Sequence, residues 1–126
     1  GARAVRERVV SDLGVPESSF AATDLIVALD PPPSRRVAAV QEVRRTDAGT
    51  GFEALHRLDD GRLRATDVID RGNSRLVGSL AGSSESYADV RAAVEGRATL
   101  LDRLAATGRT NPADLVEAYG DRGDAE

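Results

Sequence analysis

Three observations predict a mixed α/β fold. An apolar stripe at helical spacing opens the chain and stops at a glycine. Strand and hairpin signals occupy its middle, and from residue 71 the period is helical again. In the first stretch Val5, Val9, Val10 and Leu13 fall three and four apart, with Arg3 and Glu7 paired on the wet side, so one face of a helix is predicted to meet a core. Gly14 supplies a left-handed stop and Pro16 stands just beyond it. Leu25 to Leu29 is an unbroken apolar run, the pattern of a strand covered on both faces in a mostly parallel sheet. Such a strand needs neighbours, and none precede it.

The segment DPPPS, residues 30–34, carries three prolines and predicts an extended linker; a polyproline recognition motif is its functional alternative. RRVAAVQEVRR, residues 35–45, is a strand whose imperfect alternation of Val37, Val40 and Val43 calls for a bulge or partial cover on both faces. Its flanking pairs, Arg35 with Arg36 and Arg44 with Arg45, are solvated strand ends or partners for carboxylates, the alternative being an anion site. After a turn at DAGTG, residues 47–51, a β-hairpin reverses at Asp60 and Gly61. Phe52, Ala54, His56 and Leu58 share one parity, which places the one histidine among apolar neighbours as a core or half-buried residue rather than a metal ligand. Asp59 and Asp60 are turn residues before they are an acid pair.

Asn73 or Ser74 caps a short helix carrying Leu76, Val77 and Leu80 and ended by Gly82. Ser86 and Asp89 form an S-x-x-D cap for a long helix to about Thr107, with the stripe Tyr87, Val90, Val94, Ala98, Leu101 and Ala105 widened by Leu100 and Leu104. Arg91 and Glu95 pair on its outer side, and Gly108 stops it. Asn111, Pro112 and Asp114 start a last helix with Leu115, Val116 and Tyr119 as its apolar contacts; GDRGDAE beyond them is too polar and glycine-rich to pack. The expected organisation is residues 1–70 as helix, strands and hairpin, 71–120 as a three-helix subdomain, and 121–126 as a disordered tail.

The run RERVVSDLGVPESSFAATDLIVAL followed by RRVAAVQEVRR resembles the ATPases of type II and type IV secretion and of pilus and archaellum assembly. SYADVRAAVEGRATLLDRLAATGRTNPADLVEAY looks like that family's terminal helices. The resemblance implies the trailing edge of a RecA-like, P-loop NTPase sheet, situated just downstream of the nucleotide-binding motifs. It also implies ATP and Mg as cofactors of the parent protein, a hexameric ring and a membrane platform protein as partner. A cytoplasmic location follows, peripheral at the inner face of the cell membrane. The segment itself would transmit motion and contact neighbouring subunits or the platform. No family catalytic residue has a matching position here, so no catalytic, cofactor-binding or metal residue is assigned.

The chemistry of the sequence agrees with that division. A phosphate loop of the form G-x-x-x-x-G-K-[ST] needs a lysine, and the chain has none; no G-x-S-x-G elbow surrounds a serine, which leaves Ser-His-acid catalysis through His56 without its turn. The chain alone is expected not to hydrolyse ATP. A free-standing adaptor or interaction module is the alternative to an ATPase segment, and a small enzyme built on His56 and scattered acids is a distant third.

With 126 residues there is room for one domain. The chain has no methionine and opens inside a helix without a cap, which predicts a segment of a longer protein. No cysteine is present, so disulfide and thiolate chemistry do not arise. The formal net charge of −4 disfavours nucleic acid as a partner, because phosphate contacts need a basic surplus. All 17 basic residues are arginine against 21 acids, a lysine-free, alanine-rich usage that suggests adaptation to a salty cytoplasm, where salt screens carboxylate repulsion. The helical circular dichroism of the isolated chain is therefore expected to strengthen between millimolar and molar salt; an unchanged spectrum would remove that explanation.

Overall fold

The computed structural model describes residues 1–124 and the side chains of residues 1–120. Its centre is a four-stranded antiparallel meander in the order β1-β2-β3-β4, formed by Leu25–Leu29, Val37–Thr46, Gly49–Asp59 and Arg62–Ala65. One face of the sheet carries the N-terminal helical turns. The start of the C-terminal helices lies against the other. The chain is thus mixed α/β, but the expected parallel, doubly covered first strand is corrected: β1 pairs antiparallel with β2 alone and lies at the sheet edge. Only Ile26 of its run is buried, while Leu25, Val27 and Leu29 are 36%, 50% and 58% exposed. An unbroken apolar run cannot by itself tell a covered strand from an edge strand with one bare face.

The opening helix also departs from a uniform stripe. α1, Ala2–Arg6, passes into a π-helical segment, Glu7–Asp12, in which Leu13 N–H reaches back to Arg8 C=O. The wider turn rotates later residues off a 3.6-residue register. Val9 and Val10 still pack on the core with Ala2, but Val5 and Leu13 are exposed. Arg6, instead of an Arg3–Glu7 pair, makes the polar link from this helix, bonding Glu17 through both Nε and Nη2. Gly14 ends the segment in the left-handed region at φ 73°, as its position predicts. A short helix that the sequence did not announce, α2 at Glu17–Phe20, then delivers Phe20 to the core. There Phe20, Ala2, Ile26 and Val43 form one buried cluster, and the Phe20 ring meets that of Phe52 edge-on at 6.4 Å.

DPPPS does not extend as a linker. Asp30 N–H bonds Arg36 C=O and the Asp30 carboxylate accepts from Arg36, so the prolines sit in the loop of the β1–β2 hairpin. The β3–β4 hairpin reverses at Asp60 and Gly61, both with positive φ, 51° and 75°, as a two-residue turn between twisted strands requires. β2 and β3 shift register between Val40 and Gln41, where the uneven alternation of β2 called for a bulge. The shift has a consequence the parity count could not see. Phe52 and Ala54 pair with Val43 and Gln41, but His56 pairs with Val40, so His56 lies on the opposite face from Phe52.

The helices begin where their caps predict. Ser74 accepts from Val77 N–H to start α3, Arg75–Leu80; Ser86 and Asp89 form a reciprocal capping box for α4, Tyr87–Ala106; and Asn111 accepts from Asp114 N–H ahead of α5, Pro112–Asp124. α5 thus covers part of the stretch expected to be a disordered tail, and residues 125–126 lie outside the described residues. The three expected helices are present, with little of their apolar stripes enclosed: in α4 only Val90 and Leu104 are buried, and Val94, Leu101, Leu115 and Val116 are exposed. Arg91 turns to Asp70 C=O rather than to Glu95.

The two faces of β1 should respond differently to mutation. Ile26→Ala, which opens a void in the Phe20 cluster, is expected to cost about 3 kcal/mol, and Val27→Ala, on the bare face, less than about 1 kcal/mol, measured by urea denaturation. Equal costs would contradict the one-sided burial of β1.

Candidate functional site

The most elaborate polar arrangement in the chain is built on Glu42, in the middle of β2. Its neighbours in the strand alternate across the sheet: Val43 enters the Phe20 cluster on one face, so Glu42 points to the other, under the start of α3. Glu42 is 1% exposed. Its Oε1 accepts from Arg75 N–H at 2.8 Å and from Arg44 Nε at 3.0 Å, and its Oε2 accepts from Ser74 Oγ at 2.5 Å. Ser74 in turn accepts from Val77 N–H, so one carboxylate reaches the first turn of α3 directly and through the cap. The net extends further. Arg44 donates to Asn73 C=O and approaches Glu53 of β3; Ser74 N–H donates to the Tyr87 hydroxyl at the start of α4, and that hydroxyl donates to Ile69 C=O.

Burial by itself would raise the Glu42 carboxyl, since a charge in a poor solvent is unfavourable. The hydrogen bonds from Ser74, Arg75 N–H and Arg44 outweigh it and hold the group below the usual glutamate range. With Oε1 accepting two hydrogen bonds and Oε2 one, and with the group enclosed and kept ionised, the carboxylate is turned to its own fold and has no proton to give at neutral pH. Its chemistry is that of a junction: it fixes the N-terminus of α3, where a negative charge is favoured, onto the central strand.

A second polar group lines an open cleft of about 450 Å³ on the opposite face, bounded by Arg3, Arg6, Glu17, Gln41, Thr50 and Phe52. Arg6 forks onto Glu17, Thr50 Oγ1 donates to Glu17 at 2.8 Å, and Gln41 Oε1 accepts from Ala2 N–H at 2.9 Å. The hydrogen bond from Arg6, with that from Thr50, lowers the Glu17 carboxyl, and the same contact raises Arg6. These groups satisfy one another and anchor the N-terminal helices.

The residues singled out from the sequence fall elsewhere. His56 is half-buried with Nδ1 enclosed and unpartnered, and burial pushes its imidazole below the ordinary value, so the neutral ring is favoured. Asp59 and Asp60 stay at the hairpin tip, where Asp59 pairs with Arg64 at 3.4 Å. Of the two readings open for the flanking arginines, Arg36 and Arg44 are partners for carboxylates: Arg36 serves Asp30, and Arg44 is part of the Glu42 net. Glu42 and Ser74 acquire their joint role only in three dimensions; the one signal in sequence is a single carboxylate in a strand whose other charges, Arg44 and Arg45, are basic. Among the described residues no three His, Asp or Glu side chains converge as a metal site. The chain has no lysine and no G-x-x-x-x-G-K-[ST] run, so it does not itself carry the phosphate loop of the resembling family. Among them, too, no helix is long and apolar enough to cross a membrane. Compared with known proteins, the chain matches no family model, no curated protein and no solved structure.

Removing the junction has a computable direction. Glu42→Gln is expected to cost about 2 kcal/mol at neutral pH, because hydrogen bonds to a charged group are lost or weakened. Because the folded carboxyl lies below its unfolded value, its contribution is complete above about pH 4.3 and is lost as pH falls through the folded value. The gap in stability between Glu42→Gln and the parent should therefore hold or narrow as pH falls below about 4.3, and a gap that widens as pH falls would contradict a depressed Glu42.

Proposed function

We propose that this chain is the C-terminal segment of a secretion or pilus-assembly ATPase and serves to pass motion and to make contacts rather than to hydrolyse nucleotide. The observation that carries the proposal is the uncovered flank of the sheet. Leu25, Val27 and Leu29 form an apolar row that α3 and α4 do not reach, as a strand at the trailing edge of a larger, RecA-like sheet would have. The order of elements supports it: a helix stopped by Gly14, a strand, a second strand rich in valine and arginine, a hairpin and terminal helices follow one another as in the resembling family. ATP and Mg belong, on this proposal, to motifs upstream of Gly1. The hexamer, the platform protein and a cytoplasmic position at the inner membrane face come with the same assignment. Within the segment, the Glu42 junction would couple the sheet to the helical end, so that displacement of one is felt by the other.

A free-standing adaptor is the second reading, and one observation favours it. The N-terminal turns are packed onto the sheet through Ala2 and Phe20, as a self-sufficient module requires. One result separates them and a second bears on both. Coding DNA upstream of Gly1 should contain a phosphate loop within about two hundred codons, a common domain length, and the purified chain should show no ATP turnover. A stop codon directly upstream would select the adaptor, and turnover that scales with chain concentration through a second chromatographic step would overturn both.

A further inference from the structure

The backbone of β1 narrows what can cover its flank. Asp24 C=O accepts from Val43 N–H and Asp30 N–H donates to Arg36 C=O, so both of these residues turn their backbone groups toward β2. In an antiparallel ladder the direction alternates with every residue. Ile26 and Ala28 therefore face β2, and Leu25, Val27 and Leu29 direct their N–H and C=O groups outward along the free edge. The same three residues carry the bare side chains. A helix lying on the sheet would bury the side chains and leave those backbone groups unmet; an extended segment meets both needs.

The other edge of the sheet shows how an edge meant to stay free is made. β4 is four residues long and interposes Arg62 and Arg64, while β1 has neither a charge nor a proline across its five residues. The ends of β1 then select the occupant. Asp24 is exposed and has no ion-pair partner among the described residues, and Asp30 closes the other end beside Arg36. A second copy paired antiparallel in full overlap about Val27 would set Asp24 against the Asp30–Arg36 pair of that copy, whose arginine is already engaged, and would offer Asp24 no free basic residue of its own.

We propose that the free edge of β1 accepts an extended segment with apolar residues opposite Leu25, Val27 and Leu29 and a basic residue opposite Asp24, and that a second copy of this chain does not take that place. Where the ATPase assignment holds, on which this identification of the donor rests, the segment belongs to the motor part of the same polypeptide. The edge itself is defined by β1 alone.

The test uses the full chain and two labelled peptides, Lys-Val-Thr-Val-Thr-Val-Lys and its Glu-ended counterpart, with binding read by fluorescence anisotropy and oligomeric state by analytical ultracentrifugation. The Lys-ended peptide is expected to bind saturably and the Glu-ended one roughly fivefold more weakly, from the cross-strand charge pair at Asp24. Val27→Pro removes an outward N–H that β2 does not use and should abolish binding. Asp24→Lys, an exposed change that spares the fold, should erase most of the preference between the peptides. Equal binding of both peptides, or undiminished binding by Val27→Pro, would overturn the proposal, as would a dimer of the parent chain that Val27→Pro dissolves. Peptide selectivity without a phosphate loop upstream would leave the edge assignment standing and remove the motor as donor.

Discussion

A carboxylate enclosed in a small domain must either give up its charge or be surrounded by donors, and Glu42 is surrounded. Everything on the helical side of the sheet is positioned by that choice. Ser74 and the Arg75 amide bring the first turn of α3 onto β2, Arg44 holds the carboxylate from its own strand, and the Tyr87 hydroxyl extends the hold to α4. Apolar burial on this side is modest: Val68, Val77 and Val90 are buried, but most of α4 beyond Val90 meets solvent. With so little apolar area to fix the orientation, a directional, charge-assisted contact has to supply the register between sheet and helices.

The opposite face is organised by conventional means, with Phe20, Ile26, Val43 and Ala2 in one cluster and Arg6 bound to Glu17 at its margin. The two faces meet in adjacent residues of one strand, since Val43 serves the apolar side and Glu42 the polar one. β2 is therefore the member through which the N-terminal turns and the C-terminal helices are related, and a load applied to either passes through it. The flank beyond β2 is the unfinished part. There β1 offers backbone and side chains together, while the far edge is closed by arginines, and this asymmetry assigns the two edges different tasks.

Much of the local structure was legible because it depends on local chemistry. Gly14, the Asp60–Gly61 turn, Ser74, the Ser86–Asp89 box and Asn111 each act on backbone groups within a few residues, and each was readable from spacing. What escaped depends on neighbours. The position of β1 in the sheet, the π-helical turn that exposed Leu13, and the bulge that moved His56 to the other face are decided by pairing partners and packing across the chain. Glu42 looked like one acid among many in a valine-rich strand; its role requires Ser74, 32 residues away in the chain, to arrive beside it. Arg44 was readable as a partner for carboxylates, but which carboxylate it holds is decided by the fold. The candidate site was thus almost invisible, although the caps that deliver its parts were not.

Native-state amide hydrogen exchange, resolved by residue, tests the central claim that Glu42 joins the sheet and the start of the helical end into one unit whose β1 edge stands free. The account predicts that the Arg75 and Val77 amides exchange as slowly as those of the β2–β3 ladder, and that Ile26 and Ala28 are protected while Leu25, Val27 and Leu29 exchange fast. Rapid exchange at Arg75 and Val77 under conditions where β2 and β3 remain protected would separate the helices from the sheet and contradict it.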